Sequence, residues 1–179
     1  MKSFSKIKSI AFTGILAAVL CVLAPISFPV GAIPVSLATF AVYVIACSTD
    51  LKHSVISVVI YILIGAAGLP VFSSFTGGFQ RIAGLTGGYL IGYIPCAFVI
   101  GLLVKKYENK KFIYPLSMVL GTAVCYSIGT AWYSFQTKSD FSAALLVCVV
   151  PFLVGDVIKI AAASCIGIAL RKRLKKFLQ

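Results

Sequence analysis

The chain has 179 residues, of which 60% are hydrophobic and only 11% are charged. A soluble domain is nearer half apolar and a quarter charged, so this composition excludes an ordinary soluble protein and indicates one compact integral membrane domain. The net charge of +12 is common in nucleic-acid-binding proteins, but the placement of the basic residues, given below, predicts no nucleic-acid partner.

Six apolar segments follow one another along the chain and predict an all-α integral membrane protein with six transmembrane helices in a single domain. Their approximate bounds are residues 9–24, 35–49, 54–69, 86–104, 113–135 and 142–170. The second and third segments are shorter than the ~20 residues of a straight span, so we expect them to extend into the flanking loops. The last apolar stretch is too long for one straight span, and Pro151 is predicted to kink it or to begin its transmembrane part.

The first segment follows a basic start and resembles a signal peptide. It has no small-x-small cleavage pattern before Pro25, so a retained helix is predicted. Ala11, Gly14 and Ala18 place small side chains along this helix, and small side chains let another helix approach closely. Two interpretations are open at this point, namely packing inside the protein and a docking surface for another subunit.

Two loops are unusual in composition. Residues 25–34 carry three prolines, one glycine and no charge, so they cannot continue a helix and form either a lid or a tight connection at the membrane surface. Residues 70–86 are rich in glycine and serine, with Arg81 as their one charge. Leu85 stands where a phosphate-binding loop needs lysine, so nucleotide binding is not predicted. The glycines that recur every four residues over 84–92 indicate a groove for close helix packing.

The basic residues predict the orientation. With six spans, both termini lie on one side of the membrane, and 13 of the 16 basic residues lie on that side. These are Lys2, Lys6, Lys8, Lys52, Lys105, Lys106, Lys110, Lys111, Arg171, Lys172, Arg173, Lys175 and Lys176. The positive-inside rule therefore predicts cytoplasmic termini, with a basic surface that suits anionic membrane lipid.

Asp156 and Lys159 stand three residues apart in the last apolar segment, so they share one helix face. Each charge costs roughly 2.5–3.5 kcal/mol to place in hydrocarbon on the insertion scale. Lys159 precedes Arg171 by 12 residues, which places it about 18 Å from the inner interface, in the outer half of a ~30 Å core. The two charges form either a structural ion pair or the lining of a pocket that opens outward, and intramembrane charges favour the pocket.

The sequence offers little for catalysis, and neither an enzyme activity nor a cofactor is predicted. It has no H-E-x-x-H and no G-x-S-x-G motif, and its single histidine, His53, is predicted to be a solvated turn residue. The six cysteines all lie within apolar segments and form no C-x-x-C pair. They are therefore predicted to be small buried residues, and neither a disulfide framework nor a zinc site is expected.

The candidate binding groups combine a desolvated cation with polar acceptors and apolar walls. Lys159 suits an anionic group such as a carboxylate, and Asp156 accepts N–H donors. The other candidates are the hydroxyls of Ser73, Ser74 and Thr86 and the aromatic side chains of Phe40, Tyr43 and Tyr89. This set predicts a small, mostly apolar solute with one anionic end and one amide-like end. Because the chain has no ATP-binding motif, active uptake would need a partner.

Several motifs resemble the BioY family, the biotin-specific substrate-binding (S) components of energy-coupling-factor (ECF) transporters. They are Gly68-Leu-Pro-Val-Phe72, Gly77-Gly78, Gly84-Leu-Thr-Gly-Gly-Tyr-Leu-Ile-Gly92, Gly129-Thr-Ala-Trp132 and Pro151-Phe-Leu-Val-Gly-Asp156-Val-Ile-Lys159, with the loop 25–34 and Ser36-Leu-Ala-Thr-Phe40. The match spans nearly the whole chain. The sequence departs from the usual family pattern at Ala32, Ala38 and Leu85, which affects loop rigidity and single polar contacts.

The resemblance implies a six-helix protein of the bacterial cell membrane with biotin bound near the outer face, beneath the first loop. Biotin has a carboxylate to match Lys159 and ureido N–H groups to match Asp156, although the assignment of the two ends is open; Arg81 is a further candidate. The implied partners are a transmembrane coupling protein and two cytoplasmic ATPase subunits, which alone would use ATP. Ala11, Gly14 and Ala18 would then be the docking surface.

Three other functions compete with biotin capture. They are an S component for another small vitamin, an intramembrane enzyme and a structural subunit of a helix bundle. The lack of a catalytic dyad argues against the enzyme, and a charged pair beneath a loop lid argues against a purely structural role.

Overall fold

The computed structural model describes residues 6–28 and 34–178, with side chains as far as 174. Its helices are α1 (Lys6–Leu23), α2 (Ala38–Ser48), α3 (Leu51–Ala66), α4 (Phe79–Ala83), α5 (Gly87–Lys106), α6 (Ile113–Thr137), α7 (Phe141–Cys148) and α8 (Val150–Leu178). Two short strands, β1 (Ser27–Phe28) and β2 (Val35–Ser36), pair antiparallel, and a 3-10 turn covers Ser73–Phe75. Lys2 and residues 29–33 of the first predicted loop, including Ala32, lie outside this description.

Four helices are long and apolar enough to cross a membrane, namely α1, α5, α6 and the part of α8 up to Leu174. The outermost of these, α1 and α8, turn large apolar side chains away from the protein, such as Ile7 and Ile10 on α1 and Val154 and Val157 on α8. Apolar surface on this scale is favourable in lipid and unfavourable in water. The chain is therefore an all-α, multi-pass membrane protein, as its composition predicts.

The helices α2 and α3 have only 11 and 16 residues. The expectation that they extend into the flanking loops is wrong for α2, whereas α3 does extend at its beginning into the polar turn that contains Lys52 and His53. Val35 and Ser36 belong to strand β2 and not to the beginning of α2. Helix α3 begins at Leu51 and ends at Ala66, two residues before Gly68, whose φ of 105° ends helical geometry.

The last predicted helix, 142–170, is in fact two helices that are separated at Val149. Val149 leaves helical geometry, with φ −121° and ψ −50°. Pro151 lies in the first turn of α8, where the missing N–H of proline costs no hydrogen bond. Pro151 therefore begins the long helix and does not kink it, and α8 continues to Leu178.

Glycines let α5 and α6 approach each other closely. A Cβ added at Gly88 would lie 2.3 Å from the Cβ of Trp132, and one added at Gly92 would lie 3.0 Å from the Sγ of Cys125. Such distances leave no room for a side chain without a shift of one helix. The glycine repeat therefore serves helix packing, as expected from its spacing.

The helix connections gather at two ends of the bundle. The loop end carries β1, β2 and the connection 67–86, and the basic end carries the turns 49–50 and 107–112 with the C-terminus of α8. At the basic end the buried guanidinium of Arg171 donates to the carbonyls of Cys47 and Thr49 at 3.2 and 3.0 Å. It also pairs with the Glu108 carboxylate at 2.9 Å. These bonds tie α8 to the end of α2 and to the α5–α6 turn.

Two predictions about single side chains are corrected by the fold. His53 lies in the first turn of α3 and is not fully solvated, because its Nε2 is 2.9 Å from Ser9 Oγ and its ring meets Phe12 edge-on. All six cysteines are free, but Cys165 is exposed on α8 and Cys21 is half-buried. Among the described residues, no group of histidine, cysteine or acidic side chains is placed to hold a metal ion.

Candidate functional site

A cavity opens at the loop end, among α2, α5, α6 and α8 and beneath the two loops. Its empty space is about 750 Å³, including the open mouth. It is lined by Pro34, Val35, Ser36, Thr39, Phe72, Ser73, Ser74, Thr76, Arg81, Thr86, Tyr89, Leu90, Tyr93, Tyr126, Phe152 and Lys159. A concave site with apolar walls and a few converging polar groups is typical of small-molecule binding.

The shortness of α2 helps to create the cavity. Its 11 residues cover ~16 Å, about half of a ~30 Å hydrocarbon core. Thr39, in the first turn of α2, lines the cavity. The cavity therefore occupies space that a helix of full span length would fill.

The two charges of α8 meet at the inner wall of the cavity. Lys159 Nζ lies 3.6 Å from Asp156 Oδ1 and donates to Thr39 Oγ1 at 3.0 Å. The other carboxylate oxygen, Oδ2, accepts a hydrogen bond from the hydroxyl of Tyr126. The Asp156 carboxylate therefore contacts both Lys159 of its own helix and Tyr126 of α6. Lys159 also connects α8 to α2 through Thr39.

Asp156 carries an acceptor that the described residues do not satisfy. The residue is only 4% exposed, and its Oδ1 is buried without a hydrogen-bond partner among the described residues. An unsatisfied buried polar atom costs roughly 1–3 kcal/mol, so a group that donates to it there would be bound favourably. Lys159 belongs to the lining of the cavity, whereas Asp156 lies behind it.

The side of α6 that faces the bundle interior carries hydroxyl groups at every fourth position. Thr122 bonds to the hydroxyl of Tyr43 on α2, Tyr126 bonds to Asp156 on α8, and Thr130 lies 3.3 Å from the hydroxyl of Tyr89 on α5. Sequence reasoning missed Tyr126. The signal that could have identified it is the spacing of four between residues with hydroxyl groups in an apolar helix.

The roof of the cavity is formed where the two loops meet. Ser74 Oγ lies 2.9 Å from Ser27 Oγ of β1, and Ser74 N–H donates to the carbonyl of Pro25 at 3.0 Å. Ser74 and Phe75 both have positive φ, 60° and 54°, a region that non-glycine residues rarely adopt. The hydrogen bonds to the first loop hold the turn in this conformation.

Arg81 reaches the mouth of the cavity from the five-residue helix α4. Two side chains of α6 hold this segment in place. Trp132 Nε1 donates to the carbonyl of Gly84 at 2.9 Å, and Gln136 Nε2 donates to that of Ala83 at 2.5 Å. Arg81 is itself exposed, so the mouth carries a positive charge and the inner wall carries the second one, Lys159.

The structure brings together most of the residues that the sequence predicts for the site. Lys159, Thr86, Tyr89, Arg81, Ser73 and Ser74 line the cavity. Asp156 lies one layer behind it, as described above. Phe40 and Tyr43 do not line it: Phe40 packs against the buried core, and Tyr43 is fully buried. Residues 39, 40 and 43 lie on adjoining parts of α2, and only Thr39 in the first turn reaches the cavity.

The small residues of α1 do not line this cavity and lie on an open helix surface. Ala11, Gly14 and Ala18 are exposed, opposite the buried residues Thr13 and Ala17. A Cβ added at Gly14 would meet nothing within 4 Å. Of the two interpretations left open by the sequence, packing inside this protein therefore does not apply.

The fold and the site define a helical, multi-pass membrane protein with a charged cavity at its loop end. Residues 1–176 match the model of the BioY family, and the chain belongs to that family. It is 42% identical to the "Biotin transporter BioY" of Thermotoga maritima, over 89% of this chain and 93% of that protein. It is 33% identical to the "Probable biotin transporter BioY" of Pyrococcus horikoshii, over 90% of this chain and 95% of that protein.

A solved structure agrees with this membership. The crystal structure of the S-component for biotin from an ECF-type ABC transporter superposes with a TM-score of 0.87 at 27% identity, over 96% of this chain and 95% of that chain. The family and these relatives are transport proteins and not enzymes.

Proposed function

We propose that this protein is the S component of a biotin uptake transporter in the bacterial cell membrane, which captures biotin from outside and delivers it with an ATP-driven ECF module. The observation that carries the proposal is the charged pair at the inner wall of the cavity, where Lys159 lies 3.6 Å from an Asp156 oxygen that accepts no hydrogen bond from the described residues. A cation in the lining with an anion directly behind it suits the adjoining C=O and N–H groups of a cyclic urea. Family membership and the names of the relatives support the choice of biotin.

We infer the direction of the ligand from the distance between the charges. Because Lys159 Nζ and Asp156 Oδ1 are 3.6 Å apart, both charges act on the same end of a bound molecule. The ureido end of biotin then faces this pair, and the carboxylate faces Arg81 and Ser74 near the mouth. The exposed guanidinium of Arg81 suits an anion that keeps part of its hydration.

The proposed topology has six crossings, made by α1, α2, α3, α5, α6 and the α7–α8 pair. The loop end is external and both termini are cytoplasmic. The positive-inside rule supports this orientation, since the basic end carries Lys105, Lys106, Lys110 and Lys111 in and beside the α5–α6 turn and Arg171 to Arg173 on α8.

The proposed partners are a transmembrane coupling protein and two ATPase subunits, and membrane lipid surrounds the bundle. The open face of α1 at Ala11, Gly14 and Ala18 is the docking surface, because small side chains let a partner helix approach closely. In this proposal ATP binds to the partners and not to this chain, and this chain itself uses no cofactor.

The test is equilibrium binding of biotin to the purified protein in detergent. We expect saturable binding below micromolar concentration, and Lys159→Ala should weaken it by at least ~1.5 kcal/mol because a charge-assisted hydrogen bond is lost. Lys52 is an exposed lysine at the basic end, so Lys52→Ala is the matched control and should bind biotin as the wild type does.

Absence of saturable binding by the wild type would reject biotin as the ligand and leave another small vitamin or a structural subunit. Unchanged affinity of a folded Lys159→Ala protein would make the pair purely structural.

A further inference from the structure

One tyrosine stands at the inner wall of the cavity and is not explained by the packing of the bundle. Tyr126 lines the cavity, and its ring meets Tyr89 edge-on at 6.1 Å and Phe152 at 6.3 Å. Its hydroxyl donates to Asp156 Oδ2. Since Asp156 is 4% exposed and lies behind the lining, a ligand at this wall meets Tyr126 and Lys159 first.

The hydrogen-bonding capacity of these groups differs. The Lys159 ammonium can only donate. Thr39 Oγ1 already accepts from Lys159. The phenolic oxygen of Tyr126 has its proton directed at Asp156 and keeps lone pairs for another donor. Donation to a carboxylate polarises the hydroxyl and strengthens it as an acceptor.

We propose that Tyr126 is a ligand-binding and specificity-determining residue, whose phenolic oxygen accepts one N–H of the ligand's cyclic urea while its own proton is held by Asp156. This assignment rests on the proposed function, because it takes the ureido end to face the α8 pair. Lys159 donates to the urea C=O, and Tyr126 receives the N–H beside it. A ligand that lacks this N–H leaves a buried acceptor unpaired, which is how a polar site rejects close analogues.

The first experiment compares biotin binding by the wild type, Tyr126→Phe and Tyr133→Phe in detergent. Tyr133 is also a half-buried tyrosine on α6 but does not line the cavity. We expect Tyr126→Phe to raise the dissociation constant about tenfold and Tyr133→Phe to leave it within twofold. A wild type that fails to bind biotin would reject the proposed function itself. A wild type that binds, with a folded Tyr126→Phe protein that binds equally well, would reject only the assignment of Tyr126.

The second experiment separates a direct contact from support of Asp156. The probes are the two biotin derivatives that carry a methyl group on one or the other ureido nitrogen. One derivative should bind the wild type at least tenfold more weakly than biotin, and Tyr126→Phe should remove most of that difference. Equal losses for both proteins would mean that Tyr126 acts only on Asp156 and would overturn the proposal. If Tyr126→Phe does not fold, the wild type alone still tests the proposal. Equal binding of biotin and both derivatives by the wild type would show that no acceptor in the site binds the ureido N–H groups, and would overturn the proposal.

Discussion

Ser74 and its neighbour Phe75 share the backbone strain at the roof of the cavity, and Ser74 also makes the contact between the two loops. Its backbone lies in the left-handed region, at φ 60° and ψ 36°, which costs a non-glycine residue roughly 1–2 kcal/mol. Its side chain bonds to Ser27 of the other loop, so a residue that carries strain also joins the two halves of the roof. No sequence pattern predicts this, because serine is an ordinary residue in a loop that is rich in glycine and serine.

Two substitutions at Ser74 separate the strain from the hydrogen bond. Both Ser74→Ala and Ser74→Gly lose the bond to Ser27, but only glycine relieves the left-handed backbone. We expect Ser74→Gly to be more stable than Ser74→Ala by about 1 kcal/mol in thermal unfolding in detergent. At Ser73, whose φ is not positive, the order should reverse, since glycine there only adds freedom to the unfolded chain. An alanine variant at 74 that is as stable as the glycine variant would contradict the strained turn.

Single residues of the site were predictable where they violate the rules of their surroundings. Asp156 and Lys159 stand out because charge is expensive in an apolar helix, and the structure places Lys159 in the lining of the cavity and Asp156 directly behind it. Tyr126 was not found because tyrosine is common in membrane helices. Tyr43 was assigned to the wrong place because helical spacing gives the shared face but not the depth of the cavity along it.

At the scale of helices, the spacing of small residues predicted contacts better than the apolar pattern predicted lengths. Gly88 and Gly92 of α5 lie against α6, and Gly14 of α1 lies on an open face. The predicted bounds of α2, α3 and the last two helices were wrong because the apolar pattern continues past the places where helical geometry stops. Val35 pairs in a strand before α2, and Val149 separates α7 from the helix that Pro151 begins. Leu69 follows Gly68, whose positive φ ends helical geometry after α3.

The same substitution in these two settings should have opposite effects on stability. Gly88→Ala puts a methyl group 2.3 Å from the Cβ of Trp132 and should lower the free energy of unfolding by about 1–3 kcal/mol. Gly14→Ala meets no atom within 4 Å and should be neutral or stabilising by about 0.5–1 kcal/mol. Thermal unfolding of both variants measures the contrast. Equal stability of the two would mean that α5 and α6 are not in close contact at Gly88.

At the scale of the whole molecule, the cavity and the proposed docking face are separate surfaces. The cavity lies among α2, α5, α6 and α8 at the loop end, whereas the proposed docking face lies on α1, which contributes no residue to the lining of the cavity. The bundle joins them through α1 packed on α3 and α2. The sequence indicated both surfaces, one from its charges and one from its small residues, but not their separation.

A bulky residue on α1 should therefore affect only assembly. We expect Gly14→Leu to bind biotin with a dissociation constant within twofold of the wild type. Its co-purification with the coupling protein should fall at least tenfold, because the close approach of a partner helix is blocked. Val119→Leu, a similarly lipid-facing change on α6, should retain both properties. Full co-purification of Gly14→Leu would place the docking surface elsewhere.

The short helix α2 also has a consequence for how a bound molecule leaves. Below the cavity, the side chains of Val42, Tyr43, Ala46 and Cys47 are completely buried, and Arg171 closes the end of the helix with hydrogen bonds. Among the described residues, these buried side chains of α2 and the Arg171 guanidinium lie between the cavity and the basic end. A molecule that enters at the loop end therefore meets tightly packed side chains along α2, so a narrowing or widening of the mouth between the two loops governs its exchange as long as this packing holds.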